Sequence, residues 1–96
     1  MTEALILIDK RDNVATALQP LEQGASFELE VGGGRETVQA LQPIPFGHKI
    51  ALRQFQEGDA VVKYGEVIGS ATKTIEKGEH VHTHNVEGPK RQAVPR

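Results

Sequence analysis

The sequence predicts an all-β domain, on three observations. Apolar and polar residues alternate over short runs, no segment sustains a helical period, and glycine-centred turns separate the runs. One local pattern recurs: an apolar residue, two variable residues, Gly, two variable residues, and a second apolar residue. It occurs at Leu21, Gly24 and Phe27; at Ile44, Gly47 and Ile50; at Phe55, Gly58 and Val61; and at Ile75, Gly78 and Val81. The glycines are unevenly spaced, which excludes a solenoid array. A polar pair followed by Gly makes a turn with the glycine at positive φ, and the flanking apolar residues plug the core. A chain of 96 residues builds one domain with a small core.

The elements follow in order. Residues 4–8 are an apolar run closed by a charged loop at 9–13, and residues 14–18 form a second strand that Pro20 ends. Residues 27–31 alternate, with Phe27, Leu29 and Val31 inward. Gly32, Gly33 and Gly34 then turn the chain into a strand over 36–41. A phosphate-cradling loop needs a helix start or a Lys-Ser/Thr pair after the glycines, and neither is present. Pro43 and Pro45 fix an extended entry into residues 46–52. The only helical competitor is residues 49–57, where Ile50, Leu52 and Phe55 fit neither period. Residues 61–69 are β-branched and punctuated by glycine, and the histidine-rich stretch supplies the final strand. The domain is expected over residues 1–86. Residues 87–96, with almost nothing apolar, read as a flexible tail or linker.

A net charge of −2 provides no basic surface for nucleic acid or an anionic membrane. The absence of cysteine excludes disulfides, thiolate metal sites and a cysteine nucleophile. With no Trp, one Tyr and three Phe, base-stacking platforms are not in evidence. The apolar run at 4–8 is too short to span a bilayer and lacks a basic flank. These features fit a cytoplasmic protein.

The chemistry concentrates in residues 78–86, where His80, His82 and His84 occupy every second position. On a strand these three share one face, with Val81, Thr83 and Asn85 on the other. Same-face neighbours lie roughly 7 Å apart, so two imidazoles can converge on one ion, whereas three need a bend or bulge. Read alone, the motif is open between a site and a wet polar strand face. His48 and Lys49 follow Gly47 as the histidines follow Gly78. If the two turns are equivalent, the strands after them lie side by side and present both groups on one rim.

Residues 44–52 (Ile-Pro-Phe-Gly-His-Lys-Ile-Ala-Leu), 63–69 (Lys-Tyr-Gly-Glu-Val-Ile-Gly) and 77–86 (Lys-Gly-Glu-His-Val-His-Thr-His-Asn-Val) resemble the SAF domain of the altronate/galactarate dehydratase family. Residues 1–41 are compatible and less diagnostic. The resemblance implies a compact β-clip and the small-subunit role in a sugar-acid hydro-lyase, with a large catalytic dehydratase subunit as partner. It further implies a divalent metal, iron or manganese, held mainly by that large subunit, and leaves a homo-oligomer open. On the resemblance, His82 and His84 are the candidate catalytic residues and also the candidate metal ligands of this chain. His48, Lys49, Tyr64 and Asn85 are the candidate substrate-binding residues, and His80 a packing residue. Two other readings stand beside this one: the small subunit of a sulfolactate sulfo-lyase, and a stand-alone carbohydrate-binding or interaction module.

Overall fold

A computed structural model describes residues 4–88. Among them there is no helix. The strands are β1 (Leu5–Ile6), β2 (Val14–Ala17), β3 (Ser26–Val31), β4 (Gly34–Gln39), β5 (Lys49–Ala51), β6 (Ala60–Lys63), β7 (Glu66–Ala71), β8 (His80–Val81) and β9 (Val86–Glu87). They form a central antiparallel sheet in the order β1-β2-β5-β8, a two-stranded β3-β4 hairpin and a β6-β7-β9 sheet. The all-β expectation holds, and residues 49–57 contain strand and turn rather than helix.

The period-two alternation of the central sheet explains where the core sits. Ala15 lies opposite Ile50, and both enter a cluster with Leu5, Leu21, Leu29, Val38 and Ile44 under the β3-β4 hairpin. Their neighbours Val14 and Ala51, also opposite each other, enter a second cluster with Phe55, Val61, Ile75 and Val81 under the β6-β7-β9 sheet. The middle of the central sheet, at the β2-β5 pair, is therefore apolar on both faces.

The recurring glycine pattern organises the turns. Gly24, Gly47, Gly58 and Gly78 all have φ between 84° and 94°. Each donates its N–H to the carbonyl of a buried alanine: Gly24 to Ala40, Gly47 to Ala17, Gly58 to Ala71 and Gly78 to Ala51. That alanine in return donates its N–H to the carbonyl of the residue after the glycine. The apolar residues of the pattern also pair, Leu21 with Ile44 and Phe55 with Ile75. The alanines extend the pattern by four positions toward the N-terminus, so the unit spans residues 17–27, 40–50, 51–61 and 71–81.

The β-branched, glycine-punctuated stretch 61–69 forms a hairpin: Lys63 pairs with Glu66, and the chain reverses at Tyr64 and Gly65, with φ of 61° and 72°. The buried Asp12 carboxylate accepts the N–H of both turn residues, which holds Tyr64 in a conformation rare for a bulky side chain. The histidine strand ends at Val81, and residues 82–85 turn. Glu87, placed in the tail by the sequence, pairs with Ser70 in β9; residues 89–96 of that segment lie outside the described residues.

Candidate functional site

The two glycine turns bring the site together. Gly47 leads into β5 and Gly78 into β8, and these strands pair with Lys49 opposite Val81 and Ile50 opposite His80. The rim foreseen from the equivalence of the turns is therefore present. Beyond Val81 the chain folds back on itself around Asn85. The Asn85 Oδ1 accepts the His82 N–H at 3.0 Å, and its Nδ2 donates to the His80 carbonyl at 2.8 Å. The Asn85 N–H also bonds the His82 carbonyl at 3.1 Å. This turn lays the His82 ring over His48, with centroids 3.8 Å apart and planes 12° apart.

All four histidines of the chain join one cluster. His48 Nδ1 and His80 Nε2 share a hydrogen bond at 2.8 Å, and His84 leans on His80 with centroids 4.9 Å apart. Gln42, which the sequence did not single out, accepts the His80 backbone N–H through Oε1 at 2.9 Å. Burial, and then the neighbouring His84, His48, His82 and Lys49, push His80 down to about 4. Burial and the same kind of neighbours also lower His82. Crowded cations disfavour one another, so these rings are neutral at neutral pH and carry lone pairs.

Beside the rings lies a cleft of about 230 Å³ walled by Lys49, Ile68, His82, Thr83, Val86 and Glu87. The Lys49 ammonium is half-buried and held below the ordinary lysine range, first by burial and then by Lys63. The Nδ1 of His82 is buried and has no hydrogen-bond partner among the described residues. The cleft thus combines a cation at Lys49, an imidazole at His82, a carboxylate at Glu87 and an apolar wall. This mixed lining suits a small polar ligand with an anionic group for Lys49 and hydroxyls for the rest.

A divalent ion fits the cluster poorly. Ring nitrogens of His48, His80 and His82 lie within 4.8 Å of one another. However, two imidazoles on one ion, each about 2.1 Å from it, point their in-plane lone pairs at a common centre. His48 and His80 instead meet nitrogen to nitrogen at 2.8 Å, which leaves no space between them. The stacked rings of His48 and His82 direct their lone pairs along nearly parallel planes. Chelation would break the hydrogen bond and the stack together. His84, the other residue singled out for metal, lies outside this set of three.

A sequence profile described as the altronate/galactarate dehydratase SAF domain matches residues 3–89. The chain belongs to that family. It is 40% identical over 85 residues to the altronate dehydratase of Bacillus subtilis and 44% identical over 80 residues to that of Escherichia coli. Those alignments cover 88% and 83% of this chain but only 16% and 15% of the relatives, so the SAF domain spans about a sixth of their length. Over 44 residues it is 50% identical to the alpha subunit of the (2R)-sulfolactate sulfo-lyase of Chromohalobacter salexigens. That stretch is 46% of this chain and 47% of the subunit.

Within this SAF domain the candidate residues separate by place. His48, His82 and His84 join the ring cluster, and Lys49 and His82 wall the cleft. Tyr64 belongs to neither; it sits 59% exposed at the β6-β7 turn beneath the Lys63 ammonium. Asn85 is fully buried, and its amide bonds backbone at both ends, so it shapes the loop instead of offering an amide to a substrate. His80, expected to pack, is the hydrogen-bonded centre of the cluster. Two hydrogen-bond roles of the scaffold, those of Gln42 and Asp12, carry no local sequence signal because their partners are distant in the chain.

Proposed function

We propose that this SAF domain is the small subunit of an altronate dehydratase-like hydro-lyase and supplies substrate-binding side chains to a site completed by a large catalytic chain. The single observation that carries the reading is the cleft, where Lys49 and His82 face one space. A sugar acid entering it sets its carboxylate against the Lys49 ammonium and its hydroxyls against His82. The reaction removes the proton beside the carboxylate and the hydroxyl one carbon further on, and the enol product becomes a 2-keto-3-deoxy acid. It needs a base, an acid and a group that stabilises the enediolate. His82 offers an imidazole for proton transfer, and exposed His84 a second one at the rim. The base for the carbon acid and the divalent metal, iron or manganese, are assigned to the large chain. The misfit of an ion in the histidine cluster and the all-imidazole character of that cluster support this division.

The sulfolactate sulfo-lyase alpha subunit supports a second reading, because this chain is 50% identical to it over 44 residues. That elimination expels sulfite from an anionic three-carbon acid, which the same Lys49 could hold.

The test combines the chain with its large partner and measures assembly and turnover on the same samples, with altronate and sulfolactate as alternative substrates. Truncating Lys49 or His82 to Ala lowers turnover at least tenfold, about 1.4 kcal/mol of transition-state stabilisation, while assembly persists. Unchanged turnover removes both residues from the site. Activity lost only through lost assembly makes them interface residues. The isolated chain turns over neither substrate.

A further inference from the structure

We infer that His80 is the positioning residue for His48, and that the two rings form a proton-passing dyad at the rim of the cleft. The inference rests on the hydro-lyase reading only for its purpose; the dyad itself rests on geometry. The Nδ1 of His48 and the Nε2 of His80 are 2.8 Å apart, the centroids 5.0 Å and the planes 20°. This is the arrangement of two nearly coplanar rings meeting head-on, with one proton between them.

A single shared proton fixes both rings at once. The ring that donates has its outer nitrogen bare, and the ring that accepts has its outer nitrogen protonated. The neutral dyad therefore presents one base and one acid, on different residues, without any net charge. A proton arriving at the bare outer nitrogen of the donor lets the inner proton cross to the acceptor, whose outer N–H is then released. Charge and proton count are restored, and the two tautomers have exchanged. An elimination that takes up one proton and delivers another to a leaving hydroxide has use for such a pair.

The surroundings hold both rings in place. His82 stacks on His48. The His80 N–H is tied to Gln42 and its carbonyl to Asn85. The charged or titratable groups that act on His80 are His84, His48, His82 and Lys49, from the turn before β5, from β5 itself and from the turn after β8. None is a carboxylate, so nothing among them stabilises a second proton on the His80 ring, which burial and these neighbours disfavour.

The test is nitrogen-15 NMR of the full chain, labelled at histidine, with long-range proton–nitrogen correlations recorded near pH 7.5. His48 and His80 are expected each in one tautomer, with the shared proton on a single inner nitrogen, while exposed His84 averages between tautomers. In H80F, His48 should populate both tautomers. In H80Q, where the side-chain amide takes the place of Nε2, the single tautomer should return. In H82F it should persist, because His82 stacks without bonding His48. Tautomeric averaging of His48 in the wild-type chain overturns the inference, and so does a fixed His48 tautomer that survives H80F. In the reconstituted enzyme, H80F should shift the pH profile of kcat and H80Q restore it. An inactive reconstitution would defeat the hydro-lyase reading and leave the NMR result standing.

Discussion

Asn85 shows how much one buried amide can organise. Its two ends bond the His82 N–H and the His80 carbonyl, and these contacts fold the histidine loop over β5. Substituting Ala strands both backbone groups away from water, so urea denaturation should show a loss of about 2–3 kcal/mol. His80 makes a pH-dependent contribution. Its folded value of about 4 lies below the ordinary 6.5, so between these values the unfolded chain holds the extra proton. Stability should therefore fall as pH drops from about 6.5 toward 4 and be fully regained above 6.5. The Tm of H80Q measured across that window should be flatter than the wild type. At this scale the sequence was readable where chemistry follows from residue type: the histidines and Lys49 do lie together. It was unreadable where a role depends on a distant partner. Nothing about Asn85 in the sequence says whether its amide faces solvent or its own backbone, and Tyr64 next to Gly65 looks the same at a binding rim as at a hairpin tip.

The glycine turns belong to the scale of the element. Their apolar-flanked pattern was legible because a left-handed turn residue and two core plugs leave a sequence signature. The alanine that closes each turn was not, since Ala is too common to stand out and its partner glycine lies elsewhere in the chain. The turns are alike in backbone and unlike in surroundings. A Cβ on Gly24 would meet nothing within 4 Å, whereas on Gly78 it would overlap the Gln39 carbonyl oxygen. Gly24→Ala should therefore lose only the positive-φ penalty of about 1–2 kcal/mol. Gly78→Ala should exceed about 3 kcal/mol, since a backbone oxygen cannot step aside as a side chain can. Paired denaturation curves of the two variants decide this. The histidine strand was misjudged for a related reason. Alternation at His80, His82 and His84 imitates a strand, but Asn85 captures the His82 N–H and turns the chain instead.

In the molecule as a whole, the central sheet serves two cores, and β5 lies inside it between β2 and β8. The recurring unit at 40–50 ends on Ile50 and the next, at 51–61, begins on Ala51 with no residue between them. Ile50 enters one core and Ala51 the other. The remaining units are separated by the β3-β4 and β6-β7 hairpins, whose tips at Gly32-Gly33 and Tyr64-Gly65 face no such demand. The joint at Ile50 and Ala51 thus fixes where the chain tolerates changes of length. One residue inserted there would turn Ala51 away from its core and disturb its paired backbone bonds with Gly78 and Glu79. In a library carrying a single codon inserted at every position and sorted for folded protein, survivors should gather at the open Gly32-Gly33 tip, be fewer at Tyr64-Gly65, which Asp12 holds, and vanish around Ile50. The fold would then carry a readable record of its own assembly from like parts: length drifts at the spacers, while the seam stays closed.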